Sequence, residues 1–299
     1  MKGIIVIPSQ GFGNRLRMIC SSYILAQYLG IEHHILWELA DDCNVEFQNI
    51  WSKHPFKLIK ESDIKRLNYI FFGFIHTCEI LQDSNKWKQC LDHDYLVLSG
   101  GHEFIFPTMN KEKFMSSKVQ LYKQLIFKCE STIPSLPEKY ACVHYRDITR
   151  FDKKDIEKSS NCNFSENSSI QEFLALINRI DKSTTLVVVS NNNTISKVMR
   201  DFFSDREIIC IQNAKDRNDK GSAELSLHDF VIMTKAEYII GTYYSSFSDE
   251  ACFFNNITKI IPLSKHINTN QYHCTGFIIL NDIAYLNYQP GIISKAYQV

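Results

Sequence analysis

Short apolar runs alternate with segments whose apolar residues recur every three or four positions. Gly3 to Ile7 is an isoleucine-rich run of the buried-strand type. After the turn Gln10-Gly11-Phe12-Gly13-Asn14, residues Leu16, Ile19, Tyr23 and Ala26 return at helical spacing as far as Gly30, a residue suited to closing a helix in the left-handed conformation. His33 to Trp37, Tyr69 to Phe74 and Tyr95 to Ser99 read as further strands, and Lys111 to Lys128 as a helix. Ser131 to Glu138 holds two prolines among polar residues, which can neither continue a helix nor sit in a central strand, so it predicts a linker.

Beyond the linker the alternation is regular. Strands are expected at Tyr140 to Arg146, Leu186 to Ser190, Glu207 to Ile211, Glu237 to Gly241 and Lys259 to Pro262. Helices are expected at Ile170 to Ile180, Asn193 to Phe203, Ala223 to Thr234 and Asp249 to Asn255. Apolar strands alternating with amphipathic helices imply a parallel, doubly wound sheet. The expected fold is α/β, with two Rossmann-like domains facing across a cleft: residues 1–133, residues 138–264, and a segment 265–299 that returns to pack on the first domain.

Composition narrows the function classes. The 299 residues are 22% charged and 44% hydrophobic with a net charge of zero, so nothing favours nucleic acid or an acidic membrane as partner. The ten cysteines stand singly, with neither a CxxC nor zinc-ligand spacing, and read as buried thiols of a reducing compartment. The N-terminus does not read as a signal peptide, and no apolar run reaches the ~20 residues of a membrane span. A soluble, cytoplasmic protein is expected, in which the sequons at Asn163, Asn167, Asn192 and Asn256 are accidental.

In an open α/β sheet ligands sit beyond the carboxyl ends of the strands. The residues there are Gln10 to Arg15, Arg146 to Arg150, Ser190, Asn191 and Asn192, and Gly241 to Ser248. The last stretch is the most informative. An apolar strand, the hydroxyl-rich run Ser245-Ser246-Phe247-Ser248 and a helix start together make an anion site, with a phosphate or diphosphate as the natural occupant. The same serines also serve as ordinary helix caps. In Cys142-Val143-His144-Tyr145-Arg146, alternation places His144 and Arg146 on one face, and a guanidinium at the strand's carboxyl end can fork two phosphate oxygens.

Other motifs are less complete. Gly11-Phe12-Gly13-Asn14-Arg15-Leu16 nearly matches the dinucleotide fingerprint, with Glu38 as the ribose-binding acid, but Leu16 replaces the third glycine. Asp92-His93-Asp94 has the form of a metal–diphosphate pair but precedes its strand, on the side away from the ligand edge, and reads as a solvated turn.

Three segments together resemble the fucosyltransferase superfamily, which includes the protein O-fucosyltransferases and the α1,6-fucosyltransferases. They are Gly11-Phe12-Gly13-Asn14, Val143-His144-Tyr145-Arg146, and Asp229 to Gly241 followed by Ser245-Ser246-Phe247. The resemblance implies a GT-B-like architecture. It also implies inverting transfer of a sugar from a nucleotide diphosphate donor, usually GDP-fucose, with no obligatory metal or other cofactor. It implies that Arg146 contacts the β-phosphate, that Gly11, Gly13 and Asn14 lie near the diphosphate, and that Asp229, Ser246 and Phe247 line the donor pocket. Asp147 stands where the α1,6 group has a second arginine, and Arg15 where many members carry glutamine.

The chemistry fits these residues. Cleaving a glycosyl–phosphate bond builds negative charge on the departing diphosphate, which a pre-aimed arginine and N–H donors stabilise most in the transition state. Arg15, Arg17 and Arg217 are candidate helpers. Asp147, Asp152 and Asp155 follow the key strand, and a carboxylate there, Asp152 foremost, is the candidate base for a glycan or protein hydroxyl acceptor. Alternatives left open are another deoxysugar nucleotide such as a rhamnose donor, a silent sugar-nucleotide-binding module, and a nicotinamide oxidoreductase.

Overall fold

Gly3–Pro8 (β1) is the strand around which the first sheet is built, because Ile4, Ile5 and Val6 are buried on both faces. It leads into Phe12–Leu29 (α1), which ends where Gly30 takes the left-handed conformation (φ 67°) and its N–H caps the carbonyls of Ala26 and Gln27. Glu32–Ile35 (β2), Phe47–Ile50 (α2), Trp51–Lys53 (β3), Glu61–Ile64 (α3), Tyr69–Phe72 (β4), Ser84–Leu91 (α4) and Tyr95–Gly100 (β5) follow. Lys111–Tyr122 (α5) starts at Asn110, whose side chain accepts the N–H groups of Glu112 and Lys113. In this computed structural model the described residues are 1–73, 84–106, 108–147, 168–211, 221–242, 245–263, 276–280 and 283–288.

The four-stranded sheet is parallel with order β2-β1-β5-β4. The helix expected to run to Lys128 stops at Tyr122, because Ile126–Phe127 (β6) turns back to pair with β3. There Phe127 packs on Trp51 with ring centroids 4.5 Å apart, and burial of two aromatic rings outweighs another turn of helix.

The chain divides into two units, Met1–Lys128 and Cys129–Val299, with a short 3-10 turn at Lys128–Thr132. The second unit contains Ala141–Tyr145 (β7), Ile170–Ile177 (α6), Leu186–Ser190 (β8), Asn193–Phe202 (α7), Ile208–Ile211 (β9), Ser222–Thr234 (α8), Tyr238–Gly241 (β10), Ser246–Asn255 (α9) and Thr258–Leu263 (β11). Gly276–Leu280 (β12) and Ile283–Tyr288 (β13) complete it. The sheet order is β12-β13-β11-β10-β7-β8-β9, parallel from β11 to β9. Those parallel strands have the Rossmann order, the first two crossovers running one way from β7 and the later ones the other way.

The tail was expected to pack back on the first unit. Its strands instead extend the second sheet, β13 pairing antiparallel with β11 along Lys259–Leu263. The open backbone edge of β11 is thereby paired.

The core on one face of this sheet is Ala141, Val143, Leu186, Val188 and Ile240 against Phe173, Leu176, Ile177, Met199 and Phe203. Each large apolar side chain buried in this way contributes roughly 1.5–3 kcal/mol relative to exposure.

Candidate functional site

The two strands between which the chain reverses its winding are β7 and β10, which lie side by side with Gly241 opposite His144. The carboxyl edge at such a switch point is where doubly wound sheets place their ligands. Alternation along β7 divides its side chains. Ala141, Val143 and Tyr145 face the core cluster, with Tyr145 edge-on to Phe173 at 5.2 Å. Cys142 and His144 face α8 and α9, and Arg146 follows on that side. His144 packs on Phe247 with ring centroids 5.7 Å apart, and Phe247 meets Phe230 edge-on at 5.1 Å.

A set of short hydrogen bonds fixes the end of β7. The Thr242 N–H donates to the His144 carbonyl at 3.0 Å, and the Arg146 N–H donates to the Thr242 hydroxyl oxygen at 2.8 Å. On the other side Asn191 grips Asp147 twice: its Oδ1 accepts the Asp147 N–H at 2.7 Å, and its Nδ2 donates to the Asp147 carbonyl at 2.9 Å. The Ser190 hydroxyl donates to the Tyr145 carbonyl at 2.7 Å. Asn192 caps α7 through Thr194 N–H and donates Nδ2 to the Asp147 carboxylate at 2.8 Å. The backbone carrying Arg146 is therefore held from β8 and β10 at once, as a preorganised charge site requires. Ser190 and Asn191, expected to touch a ligand, have the described side-chain bonds turned to this bracing.

The helix expected from Asp249 begins three residues earlier. Ser245 is extended (φ −86°, ψ 102°) and stands at the N-cap of α9, so Ser246, Phe247 and Ser248 form the first turn. Amides of a first turn have no carbonyl partner within the helix and carry the positive end of its dipole. Ser245 Oγ is buried with no hydrogen-bond partner among the described residues. Asp249 is an acidic residue of the first turn, as expected, and its carboxylate pairs with Lys259 Nζ at 2.5 Å.

Electrostatics separate the candidates. Burial, then the charges of Lys259 and Arg146, push the His144 imidazole down to about 3. His144 is neutral near pH 7, and its Nδ1 is a buried atom without a hydrogen-bond partner among the described residues. Positive charge near this edge comes from Lys259 and Arg146. Asp229, half-buried on α8, is close enough to Cys142 that, after burial, it is the next cause raising that thiol well above its usual range.

In the first unit, Gly11, Gly13, Asn14 and Arg15 also stand together. Gln10 takes a left-handed backbone (φ 69°), and its side-chain carbonyl accepts Asn14 Nδ2 at 2.7 Å. The turn presses on the end of β5, where a Cβ on Gly101 would come within 2.8 Å of Gln10 Oε1 and 2.9 Å of the Ser9 carbonyl. Asn14 lies inside α1, whose N-cap is Gly11.

Arg15 departs from the expected diphosphate helper. It is 1% exposed; Nε donates to the Gln10 carbonyl at 2.8 Å and Nη1 to the Glu38 carbonyl at 2.6 Å. Its guanidinium also lies 4.6 Å from the Trp37 ring centroid and 3.8 Å from the Asp42 carboxylate. It is a buried brace tying the glycine turn to the segment after β2.

Of the residues singled out from sequence, His144, Arg146, Ser190, Asn191, Asp229, Ser245, Ser246 and Phe247 gather around β7, β10, α8 and α9. Asp152 and Arg217 lie outside the described residues, as does Asp155. Asp94 is tied at the amino edge of β5 to Lys2, at 3.1 Å. Among the described residues no three His, Cys, Asp or Glu side chains are grouped to hold a metal ion. Among them, too, no helix is long and apolar enough to cross a membrane. Lys259 was missed, its one hint being a lysine inside an apolar strand, and Thr242 fell within the stretch Gly241 to Ser248 without a role of its own.

Sequence comparison finds no family model and no curated protein that match the chain. Comparison of structures finds fucosyltransferases. Fucosyltransferase NodZ from Bradyrhizobium is 13% identical, with a TM-score of 0.56 over 87% of this chain and 94% of that one. A mutant of FUT1 from Arabidopsis thaliana in complex with GDP is 10% identical, with a TM-score of 0.54 over 87% of this chain and 70% of that one. POFUT1 in complex with GDP-fucose is 12% identical, with a TM-score of 0.53 over 86% and 94%. The chain has the two-Rossmann α/β fold of these GT-B-type fucosyltransferases.

Proposed function

We propose that the chain is a glycosyltransferase that moves L-fucose from GDP-fucose to a hydroxyl of a glycan or protein, with inversion. The observation that carries this reading is the bond from the Arg146 N–H to Thr242 at the switch point of the second sheet, which ties the backbone of Arg146 to the segment leading through Ser245, with its buried hydroxyl, into α9. That combination suits a diphosphate, and the likeness to folds solved with GDP and GDP-fucose favours guanosine as its carrier.

In the reaction the acceptor oxygen bonds to the anomeric carbon as the bond from that carbon to the β-phosphate oxygen breaks. The electron pair stays on the diphosphate, where Arg146 and the first-turn amides of α9 stabilise it. The hydroxyl proton passes to a carboxylate after β7, for which Asp152 is the candidate. His144 and Phe247 wall the pocket, and Asp229 stands on the helix beside them.

A thermal-shift panel of nucleotides and nucleotide sugars tests the reading. A donor at a hundredfold excess over Kd stabilises the fold by about 2.7 kcal/mol. GDP and GDP-fucose are expected to give the largest shifts. UDP-sugars or NAD in first place would overturn the reading, and a GDP-rhamnose shift above that of GDP-fucose would replace the sugar.

A further inference from the structure

Lys259 lies on β11 in register with Ile239 of β10, which is itself in register with Cys142 of β7. It therefore shares the face that carries His144, and it is 0% exposed. Its stem runs toward the carboxyl edge and crosses Gly241, where an added Cβ would come within 2.6 Å of Lys259 Cε. The ammonium ends beneath the loop from β10 to α9. There it donates to the Thr242 carbonyl at 3.1 Å, reaches the Ser245 carbonyl at 3.5 Å and pairs with Asp249 at 2.5 Å.

Stability alone does not account for this arrangement. Burying the Lys259 charge costs several kcal/mol of desolvation, and an apolar residue of similar volume often serves a core as well or better. What the ammonium does is orient backbone. Together with the Asp249 N–H at 3.0 Å and the Ser248 hydroxyl at 3.3 Å, it holds the Ser245 carbonyl, and in a planar trans peptide the N–H of Ser246 then points the opposite way. That N–H is the first amide of α9, and Asp249 anchors the same turn to the same ammonium.

We propose that Lys259 is a positioning residue that sets the N-terminus of α9 to receive the donor's β-phosphate, with Gly241 as the gap its stem requires. The proposal rests on the donor reading above and adds to it a residue on β11, two strands from β7 in the sheet order.

The test is calorimetric titration of the full chain and of Lys259→Met with GDP, GMP and inorganic diphosphate. The variant is expected to keep GMP affinity and to lose about tenfold for GDP and for diphosphate, the worth of one charge-assisted hydrogen bond. Unchanged GDP affinity, or equal losses for GMP and GDP, would overturn the proposal. Gly241→Ala displaces the same stem and carries the test if Lys259→Met does not fold; an unaltered GDP-to-GMP ratio there counts against it equally. A wild-type chain that ignores GDP but binds diphosphate in a Lys259-dependent way would refute the donor reading and uphold the positioning role.

Discussion

The Thr242 hydroxyl accepts the Arg146 N–H at 2.8 Å and donates to the His144 carbonyl at 3.2 Å. One side chain thus continues the ladder between β10 and β7 past the last strand residue, and fixes the backbone from which Arg146 departs. Thr242→Val keeps the shape and removes both bonds. It is expected to destabilise the fold by about 1–2 kcal/mol and to weaken GDP binding, with Thr242→Ser close to wild type. Denaturant midpoints and GDP titrations check this; a valine variant equal to wild type in both would dismiss the role.

Arg15 and Trp37 make a second informative pair. Because the buried guanidinium satisfies two carbonyls and stacks on the indole, Arg15→Met is expected to cost roughly 2–4 kcal/mol of stability. Arg15→Lys rescues little, since lysine has neither the fork nor the planar face. A thermal melt decides, and an unchanged midpoint in Arg15→Met would return Arg15 to the ligand side.

Much of the second unit was legible in sequence because its signals are local. Leu186–Ser190 was read to the residue: four apolar residues and Ser190, all buried, mark its span, and Asn192 caps the next helix. The start of α9 was not legible. Asp249 is a first-turn acid, as its position indicates, but nothing local shows that the helix already starts at Ser246 or that the carboxylate pairs with Lys259, a strand away. Arg15 misled for the same reason, since Trp37, Glu38 and Asp42 reach it only through the fold. The tail was obscure because its short strands take their place from the open edge of β11.

Acid should weaken the fold well above the range of carboxylates. Burial pushes His33 down to about 3, and burial with nearby Lys259 and Arg146 does the same to His144. Both are neutral when folded but take up a proton near pH 6.5 when unfolded. The stability they give is present above pH 6.5 and is lost progressively as pH falls toward 3. Melting temperatures at pH 7.5 and 5 are expected to differ less in His33→Phe, which keeps the packing on Tyr23 and Phe56. An equal difference in variant and wild type would contradict this.

Donor turnover is expected to survive EDTA. Asp94, the nearest thing to a metal-diphosphate motif, is paired with Lys2 at the amino edge of its sheet, and the charge at the ligand edge is an arginine. Activity measured with and without chelator checks the point. A loss restored by Mn²⁺ or Mg²⁺ would bring Asp92 and Asp94 back as candidates.

The central claim is that Arg146 stabilises a departing diphosphate, and the release of GDP from GDP-fucose measures it most directly. Arg146→Ala and Arg146→Lys should be assayed beside the wild type, each with its thermal midpoint. The account expects a fall in kcat of roughly 10²–10³ for Arg146→Ala with a near-normal midpoint, and little recovery in Arg146→Lys. A well-folded Arg146→Ala protein that releases GDP at the wild-type rate would contradict it.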